Sequence, residues 1–286
     1  MKLQGKTIAV TGAASGIGRA LAVELAGQCQ GLALCDINAE RLAETAELVR
    51  NAGAVVLTQR VDTADRAQVE AFARASLAHF GAVDGIVNNA GVALGRASVL
   101  DVPMEALEWI VGINLWGMIY GTKAFLPHLI TRPEAAVVNI SSLFGLMGVP
   151  EQAGYCTTKF AIRGFNESLR MELRYAHPQV KVVSVHPGGI ATRIARDARR
   201  VTEMDQQVYA ADIANFDRFL RMPPEKAARK IVRGVRRNRG RVLIGYDAKL
   251  MDIFIRLLPL GYQRFVANRA NAQKEKVMRK FRERGE

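Results

Sequence analysis

Cysteine is scarce in this chain of 286 residues. Cys29, Cys35 and Cys156 are too few for a disulfide framework and lack metal-ligand spacing. A reducing, cytoplasmic setting is therefore expected, with no metal site. Long apolar runs are missing too. A membrane-spanning helix needs roughly 18 or more uncharged apolar residues. The nearest candidate, Leu250–Leu260, is shorter and is cut by Asp252, Arg256 and Pro259. Met1–Gly5 is short and polar and leads directly into Ile8–Val10 and a glycine loop, so a mature N-terminus without a signal peptide is expected. Nine prolines and 25 glycines fall without a period, which excludes a collagen-like repeat, and neither an internal repeat nor a low-complexity linker is visible.

What remains is an ordinary globular composition, 49% hydrophobic and 23% charged, with one unusual number: a net charge of +13. Residues 1–217 hold 20 Lys and Arg against 21 Asp and Glu, a net −1. Residues 218–286 hold 20 against 6, a net +14. The basic excess belongs to the last quarter of the chain alone.

Short apolar runs alternate with amphipathic ones. Thr7–Val10, Gly31–Cys35, Val55–Leu57, Val83–Val87, Ala136–Ile140, Val180–Val185 and Arg241–Ile244 read as strands. Ile17–Ala26, Glu40–Arg50, Arg66–His79, Met104–Ile130 and Tyr155–Tyr175 read as helices, Met104–Ile130 starting after Pro103. Strands that look buried on both faces, alternating with helices, predict an α/β fold: a doubly wound, Rossmann-like parallel sheet with helices on both faces. Residues 1–245 are expected to form a single dinucleotide-binding and catalytic domain, and 246–286 a basic, partly apolar helical extension.

The first strand runs into Thr11-Gly12-Ala13-Ala14-Ser15-Gly16-Ile17-Gly18. Such a loop lets backbone approach a pyrophosphate while the following helix offers free N–H groups and a favourable dipole. Gly12 permits the turn, Gly16 the close approach and Gly18 the helix–sheet packing. Asp36 ends the second strand, where a carboxylate can accept from adenosine ribose hydroxyls and repels a 2′-phosphate. No basic residue compensates in Asp36-Ile37-Asn38, and Ser15 stands where an Arg could have met a phosphate, so NAD is expected over NADP. Asn38 suits the cap of the next helix better than Asp36 does. Asp62, after the third strand, could meet the adenine edge or be an ordinary loop residue.

Tyr155-Cys156-Thr157-Thr158-Lys159 stacks a phenol and an ammonium on one face of a predicted helix. A free tyrosine titrates near pH 10, and the adjacent Lys159 cation is expected to lower that value. Such a group can take a proton from an alcohol while a hydride leaves carbon. Ser142 follows the fifth strand at its carboxyl end, where its hydroxyl could hold the substrate oxygen; simple turn chemistry is the plainer alternative.

Together these residues resemble the short-chain dehydrogenase/reductase family. The cofactor loop, Asn88-Asn89-Ala90-Gly91, Asn114, Ser142, the Tyr155–Lys159 pair and Pro187-Gly188 with Thr192 match its motifs in order over roughly residues 5–245. The resemblance implies an oxidoreductase in which Asn114 completes a tetrad with Ser142, Tyr155 and Lys159 and holds a water for proton relay. It implies that Lys159 also binds the nicotinamide ribose. It further implies that Ile190 and Thr192, after Pro187 and Gly188, orient the carboxamide, and that Asn89, Ala90 and Gly91 border the adenosine ribose, with Ser15 and Ile17 in the pyrophosphate loop. His186 falls where a cofactor-side wall is expected; His79, His128 and His177 sit in helices or at their ends.

In the family the segment after Pro187-Gly188 is a lid over the substrate pocket. Here Val201, Met204, Val208, Tyr209, Ile213, Phe216 and Leu220 recur at helical spacing, which fits either packing on the core or a pocket lining shared with Leu143, Phe144, Leu146, Met147 and Val149. Both predict an apolar site without a charged clamp, hence a bulky lipophilic secondary alcohol or ketone of steroid- or lipid-like class, still a small molecule. An NADPH-dependent carbonyl or 3-ketoacyl reductase is the alternative, opposed by Asp36. A non-catalytic dinucleotide sensor is the remote one, opposed by the intact tetrad. The extension holds Leu250, Met251, Ile253, Phe254, Ile255, Leu257, Leu258 and Leu260 between basic flanks. Three readings stand side by side: a solvated basic helix, a subunit surface in a homo-oligomer (dimer or tetramer), or peripheral attachment to an anionic membrane. Nucleic acid is not an expected partner, since no recognised module accompanies the charge.

Overall fold

A computed structural model describes residues 1–201 and 218–282, with side chains described up to residue 272 and at 275. Seven parallel strands form one sheet: β1 (Thr7–Thr11), β2 (Gly31–Asp36), β3 (Val55–Arg60), β4 (Gly85–Asn88), β5 (Ala135–Ile140), β6 (Val180–Pro187) and β7 (Arg241–Ile244). Their order is β3-β2-β1-β4-β5-β6-β7. The direction of winding reverses between β1 and β4, paired through Ile8–Gly85 and Val10–Val87. In an open α/β sheet the crevice beyond the carboxyl ends at that reversal is where ligands bind.

The strands lack polar alternation because both faces are covered. Ile8, Val10, Leu32, Leu34, Val138, Val183 and Val185 pack in one layer with Leu21 and Leu25 of α1 (Gly16–Ala26), Leu42 and Val49 of α2 (Ala39–Asn51), and Ile231 and Val235 of α7 (Pro224–Arg236). The intervening Ala9, Ala33, Ile86, Val137 and Val182 face the other layer. There they meet Phe72 of α3 (Arg66–Phe80), Phe125 and Leu129 of α5 (Gly117–Leu129), and Leu169 and Leu173 of α6 (Ala153–Ala176). Asn38 caps α2, its Oδ1 accepting from Arg41 N at 2.9 Å, as its side chain suggested.

One element differs from expectation. The long helix over 104–130 is interrupted: α4 (Met104–Val111) passes through a π-helical turn, Gly112–Trp116, into α5. Beyond β7 the chain forms two helices, α8 (Tyr246–Leu257) and α9 (Gly261–Arg282). The lid positions Met204, Val208, Tyr209, Ile213 and Phe216 lie outside the described residues, as do the side chains of the basic run 276–284. Among the described residues no helix is long and apolar enough to cross a membrane, and no cluster of His, Cys, Asp and Glu is placed to hold a metal.

Candidate active site

The glycine loop leaves β1 beside the segment that leaves β4. Gly12 (φ +65°) and Gly16 (φ +52°) occupy the left-handed region that favours glycine. A Cβ on Gly12 would lie 2.7 Å from Ala90 Cα, and one on Gly18 would overlap the Gly12 carbonyl oxygen. The loop is thus a bare-backbone cradle at the N-terminus of α1, the form a dinucleotide pyrophosphate requires. Asn89 clamps it from behind, its Nδ2 donating to the carbonyls of Thr11 and Gly12, both at 3.0 Å. Thr11 Oγ1 in turn accepts from the backbone of Asn89 (3.0 Å) and Ala90 (3.1 Å). The Asn89 side chain therefore faces the loop, leaving the Ala90-Gly91 backbone toward the crevice.

Asp36 stands at the end of β2. Its Oδ2 accepts from Ala14 N (2.9 Å) and its Oδ1 from Asn38 N (2.9 Å), which fixes the carboxylate beside the loop with lone pairs to spare. Asp62 Oδ1 accepts from Ala64 N (2.9 Å) and shapes the turn after β3. On the opposite wall Pro187 ends β6. Gly188 N donates to Ile244 O, Ile190 N to Gly188 O and Thr192 N to Ile190 O. That winding seats the Thr192 side chain against Gly16, where a Cβ would lie 3.2 Å from Thr192 Cγ2. Asp247, just after β7, was not legible as a site residue. Its carboxylate holds Gly189 N at 2.6 Å and so fixes the Pro187–Thr192 segment. An open groove of about 840 Å³ runs along α1 from Gly16 and Thr192 to Arg229. It borders the loop, and neither Ser142, Tyr155 nor Lys159 lines it.

Tyr155 and Lys159 lie one turn apart on α6, with Lys159 Nζ 5.5 Å from the Tyr155 ring centroid. Lys159 is buried and donates to Ile140 O at 3.2 Å. Burial depresses its pKa to about 8. Tyr155 is partly exposed, yet desolvation pushes its phenol up to about 12, with a hydrogen bond to Ser142 pulling the other way. Burial therefore moves the phenol in the opposite direction to the lowering expected from its cationic neighbour. Phe144 meets the Tyr155 ring edge-on at 6.1 Å, and Ser142 Oγ caps the turn Leu143–Gly145 by accepting from Phe144 N. The turn role weighed for Ser142 is therefore present, beside its hydrogen bond to Tyr155.

The π turn accounts for Asn114. Its wider coil brings this buried side chain inward, where Oδ1 accepts from Val92 N (2.8 Å) and Nδ2 donates to Val92 O (3.0 Å) and Thr158 Oγ1 (3.2 Å). A Cβ on Gly91 would lie 3.2 Å from Asn114 Oδ1 and 3.4 Å from Lys159 Nζ, so Gly91 is the bare position between the two.

His186 is not on a cofactor-side wall. It is fully buried under the sheet end, with Nδ1 3.1 Å from Ser142 O and Nε2 3.0 Å from Ser184 Oγ. Since a carbonyl only accepts, Nδ1 carries the proton. A chain of buried side chains continues behind it: Asn166 Nδ2 donates to Ser184 Oγ (3.2 Å), Asn139 Nδ2 to Asn166 Oδ1 (2.6 Å) and Asn88 Nδ2 to Asn139 Oδ1 (2.7 Å). Burial depresses the His186 pKa to about 4; Arg241 and Arg163 add to this, while the Ser142 carbonyl and Asp252 oppose it. The unfolded chain, with histidine near 6.5, binds this proton first, so stability should fall as pH drops from about 6.5 to about 4, by up to about 3 kcal/mol. Denaturation midpoints across that window should slope less in His186→Gln than in the parent chain. Parallel slopes would mean His186 is not held neutral.

The substrate side is apolar. Tyr155 packs against a buried cluster of Leu94, Ala106 and Ile110, as do Val92, Leu107, Trp109 and Val201, a wall not foreseen from the sequence apart from Val201. Leu146 and Met147 are buried nearby. The charges here are engaged: Arg96 pairs with Glu151 at 2.6 Å, and the Arg199 guanidinium lies over the Trp109 ring at 5.3 Å.

Known proteins match this arrangement. The family described as short chain dehydrogenase matches residues 6–203. SadH of Mycobacterium tuberculosis is 46% identical over 265 residues, covering 92% of this chain and 95% of that protein. A short-chain dehydrogenase/reductase from Burkholderia phymatum, solved in complex with NAD, superposes with a TM-score of 0.83 at 29% identity, over 92% of this chain and 96% of that one. An alcohol dehydrogenase from Thermococcus sibiricus, complexed with 5-hydroxy-NADP, gives 0.69 at 26% identity, over 85% and 95%.

Proposed function

The chain belongs to the short chain dehydrogenase family of oxidoreductases, and from that premise we propose that it interconverts a lipophilic secondary alcohol and its ketone with NAD(H). The carrying observation is that Ser142, Tyr155, Lys159 and Asn114 meet at the carboxyl end of the sheet, between the glycine cradle and the apolar wall around Tyr155. In this reading residues 1–245 are the catalytic domain and 246–286 its extension.

Nicotinamide, when bound, supplies or accepts the hydride. The chain moves the proton. Ser142 Oγ donates to the substrate oxygen and holds it at the Tyr155 phenol. Tyr155 gives its proton to that oxygen in reduction and takes it back in oxidation. Burial keeps the phenol protonated at rest, the form that donates when the ketone is reduced. Lys159, an ammonium below about pH 8, offsets the phenolate formed on transfer and reaches the nicotinamide ribose. Asn114 holds a relay water behind it. Gly12, Ser15, Gly16, Ile17 and Gly18 take the pyrophosphate. Asp36 takes the ribose hydroxyls and Asp62 the adenine edge, while Ala90 and Gly91 line the adenosine. Ile190 and Thr192 orient the carboxamide.

Turnover of secondary alcohols of graded apolar size with NAD and with NADP tests this reading. Efficiency should rise with chain length or ring count and favour NAD. A preference for small hydrophilic diols would refute the substrate class, and a preference for NADP the cofactor. Asp36→Ala removes charge-assisted hydrogen bonds, each worth about 1.5–3 kcal/mol. It should lower kcat/KM with NAD by about tenfold or more and narrow the gap to NADP.

A further inference from the structure

Helix α8 is apolar on more than its inner face. That inner side carries Ala248 and the buried Asp252, which pairs with Arg241 of β7 and, at 3.4 Å, with Arg256. Met251, Phe254 and Ile255 are half-buried, while a second set of apolar residues points to solvent. Tyr246, Leu250, Ile253 and Leu257 follow one another at four, three and four residues, one stripe along the helix. They are 77%, 52%, 56% and 73% exposed, and the stripe continues into Leu258 and Leu260 (76%) at the turn.

The stripe cannot roll inward. Asp252 is fixed from within by Arg241. The elbow to α9 is braced by Phe254 against Phe265, edge-to-face at 5.6 Å. Beyond it the buried Tyr262 accepts from Gly148 N at 3.1 Å, in the loop that follows Ser142. Among the described residues nothing covers this apolar face, which marks it as an interaction surface.

Charge selects the cover. Lys249 and Arg256, seven residues apart, border the stripe along one edge, and Arg264 and Arg269 are exposed on α9. The acids of α8 are already engaged, Asp247 with Gly189 N and Asp252 with Arg241. A second copy of this chain, docked about a two-fold axis, would set this same cationic patch against itself within a segment of net +14. A sheet of anionic headgroups over acyl chains satisfies both halves of the surface.

We propose that the α8–α9 elbow is a monotopic docking surface for an anionic phospholipid bilayer. The Tyr246-Leu250-Ile253-Leu257-Leu260 stripe sits at the headgroup–acyl boundary, and Lys249, Arg256, Arg264 and Arg269 lie among the phosphates. The inference stands independently of the substrate reading: it concerns where the protein resides and not what it oxidises.

The test is co-sedimentation of the full-length, NAD-loaded protein with vesicles of phosphatidylcholine, with and without phosphatidylglycerol. The parent chain should pellet with the anionic vesicles, much less with the neutral ones, and be released as salt rises. Leu250→Gln/Ile253→Gln/Leu257→Gln should lower the bound fraction by about tenfold or more. Lys249→Glu/Arg264→Glu/Arg269→Glu should do the same while leaving NAD binding and turnover of a water-soluble alcohol unchanged. If the apolar variant fails to fold, the charge variant alone decides. A parent chain that ignores both vesicles, or binds them equally, overturns the proposal. So does an oligomer that the glutamine variant dissociates without any change in vesicle binding, which would assign the stripe to a second copy.

Discussion

Replacing Tyr155 by Phe should lower turnover by about 100- to 10,000-fold, the usual range for loss of a positioned general acid–base, while leaving NAD affinity nearly unchanged. The ring remains, so its edge contact with Phe144 and its packing against the cluster of Leu94, Ala106 and Ile110 survive. Only the phenolic oxygen goes, and with it the hydrogen bond to Ser142. The loss should fall on kcat more than on KM, because the apolar wall still binds the substrate carbon skeleton. Burial also holds the Lys159 ammonium at a pKa of about 8, so that group changes state close to neutral pH. Steady-state kinetics with paired NAD titrations decide the matter. Full turnover in a variant that binds cofactor would remove Tyr155 from the proposed mechanism.

Gly18→Ala should weaken NAD binding by on the order of 100-fold, the equivalent of two lost backbone hydrogen bonds of about 1.4 kcal/mol each. The added methyl group would overlap the Gly12 carbonyl oxygen and press on Asn89 Nδ2 at 2.5 Å. That amide is the clamp on Thr11 and Gly12, so one carbon displaces the turn, the clamp and the N–H groups that face the pyrophosphate together. Overpacking of this kind also costs about 1–3 kcal/mol of stability. Calorimetric titration with NAD, alongside a denaturation curve, separates the two effects. Unchanged affinity in a folded variant would show that the cradle does not depend on the bare backbone at position 18.

The sheet was legible because its strands are apolar on both faces. Ile8 and Val10 serve one layer and Ala9 the other, and such runs have few alternatives in an alternating chain. The glycine loop, Asp36 and the Tyr155–Lys159 spacing were legible because their chemistry is local. What was hidden depends on distance in sequence. The π turn at Gly112–Trp116 leaves no periodic mark in an apolar helix. Asp247 reaches Gly189 across 58 residues, and Tyr262 reaches Gly148 across 114. The Tyr155 pKa also went the opposite way from the local pattern, since spacing reveals the cation but not how little water surrounds the phenol.

The side-chain chain behind Ser142 has a polarity. From Asn88 through Asn139, Asn166, Ser184 and His186, every link donates forward, and the last proton is spent on the Ser142 carbonyl. It begins at Asn88 Oδ1, a buried acceptor without a hydrogen-bond partner. Turning Asn139 or Asn166 about would set donor against donor on one side and acceptor against acceptor on the other, and turning Asn88 would set two amide oxygens together. The three amides, the hydroxyl and the imidazole tautomer are therefore fixed as one unit, and the strand end bearing Ser142 takes its orientation from β4, on the far side of β5. A serine whose neighbourhood looks like a simple turn is in this sense registered against three strands of the sheet, β4 to β6.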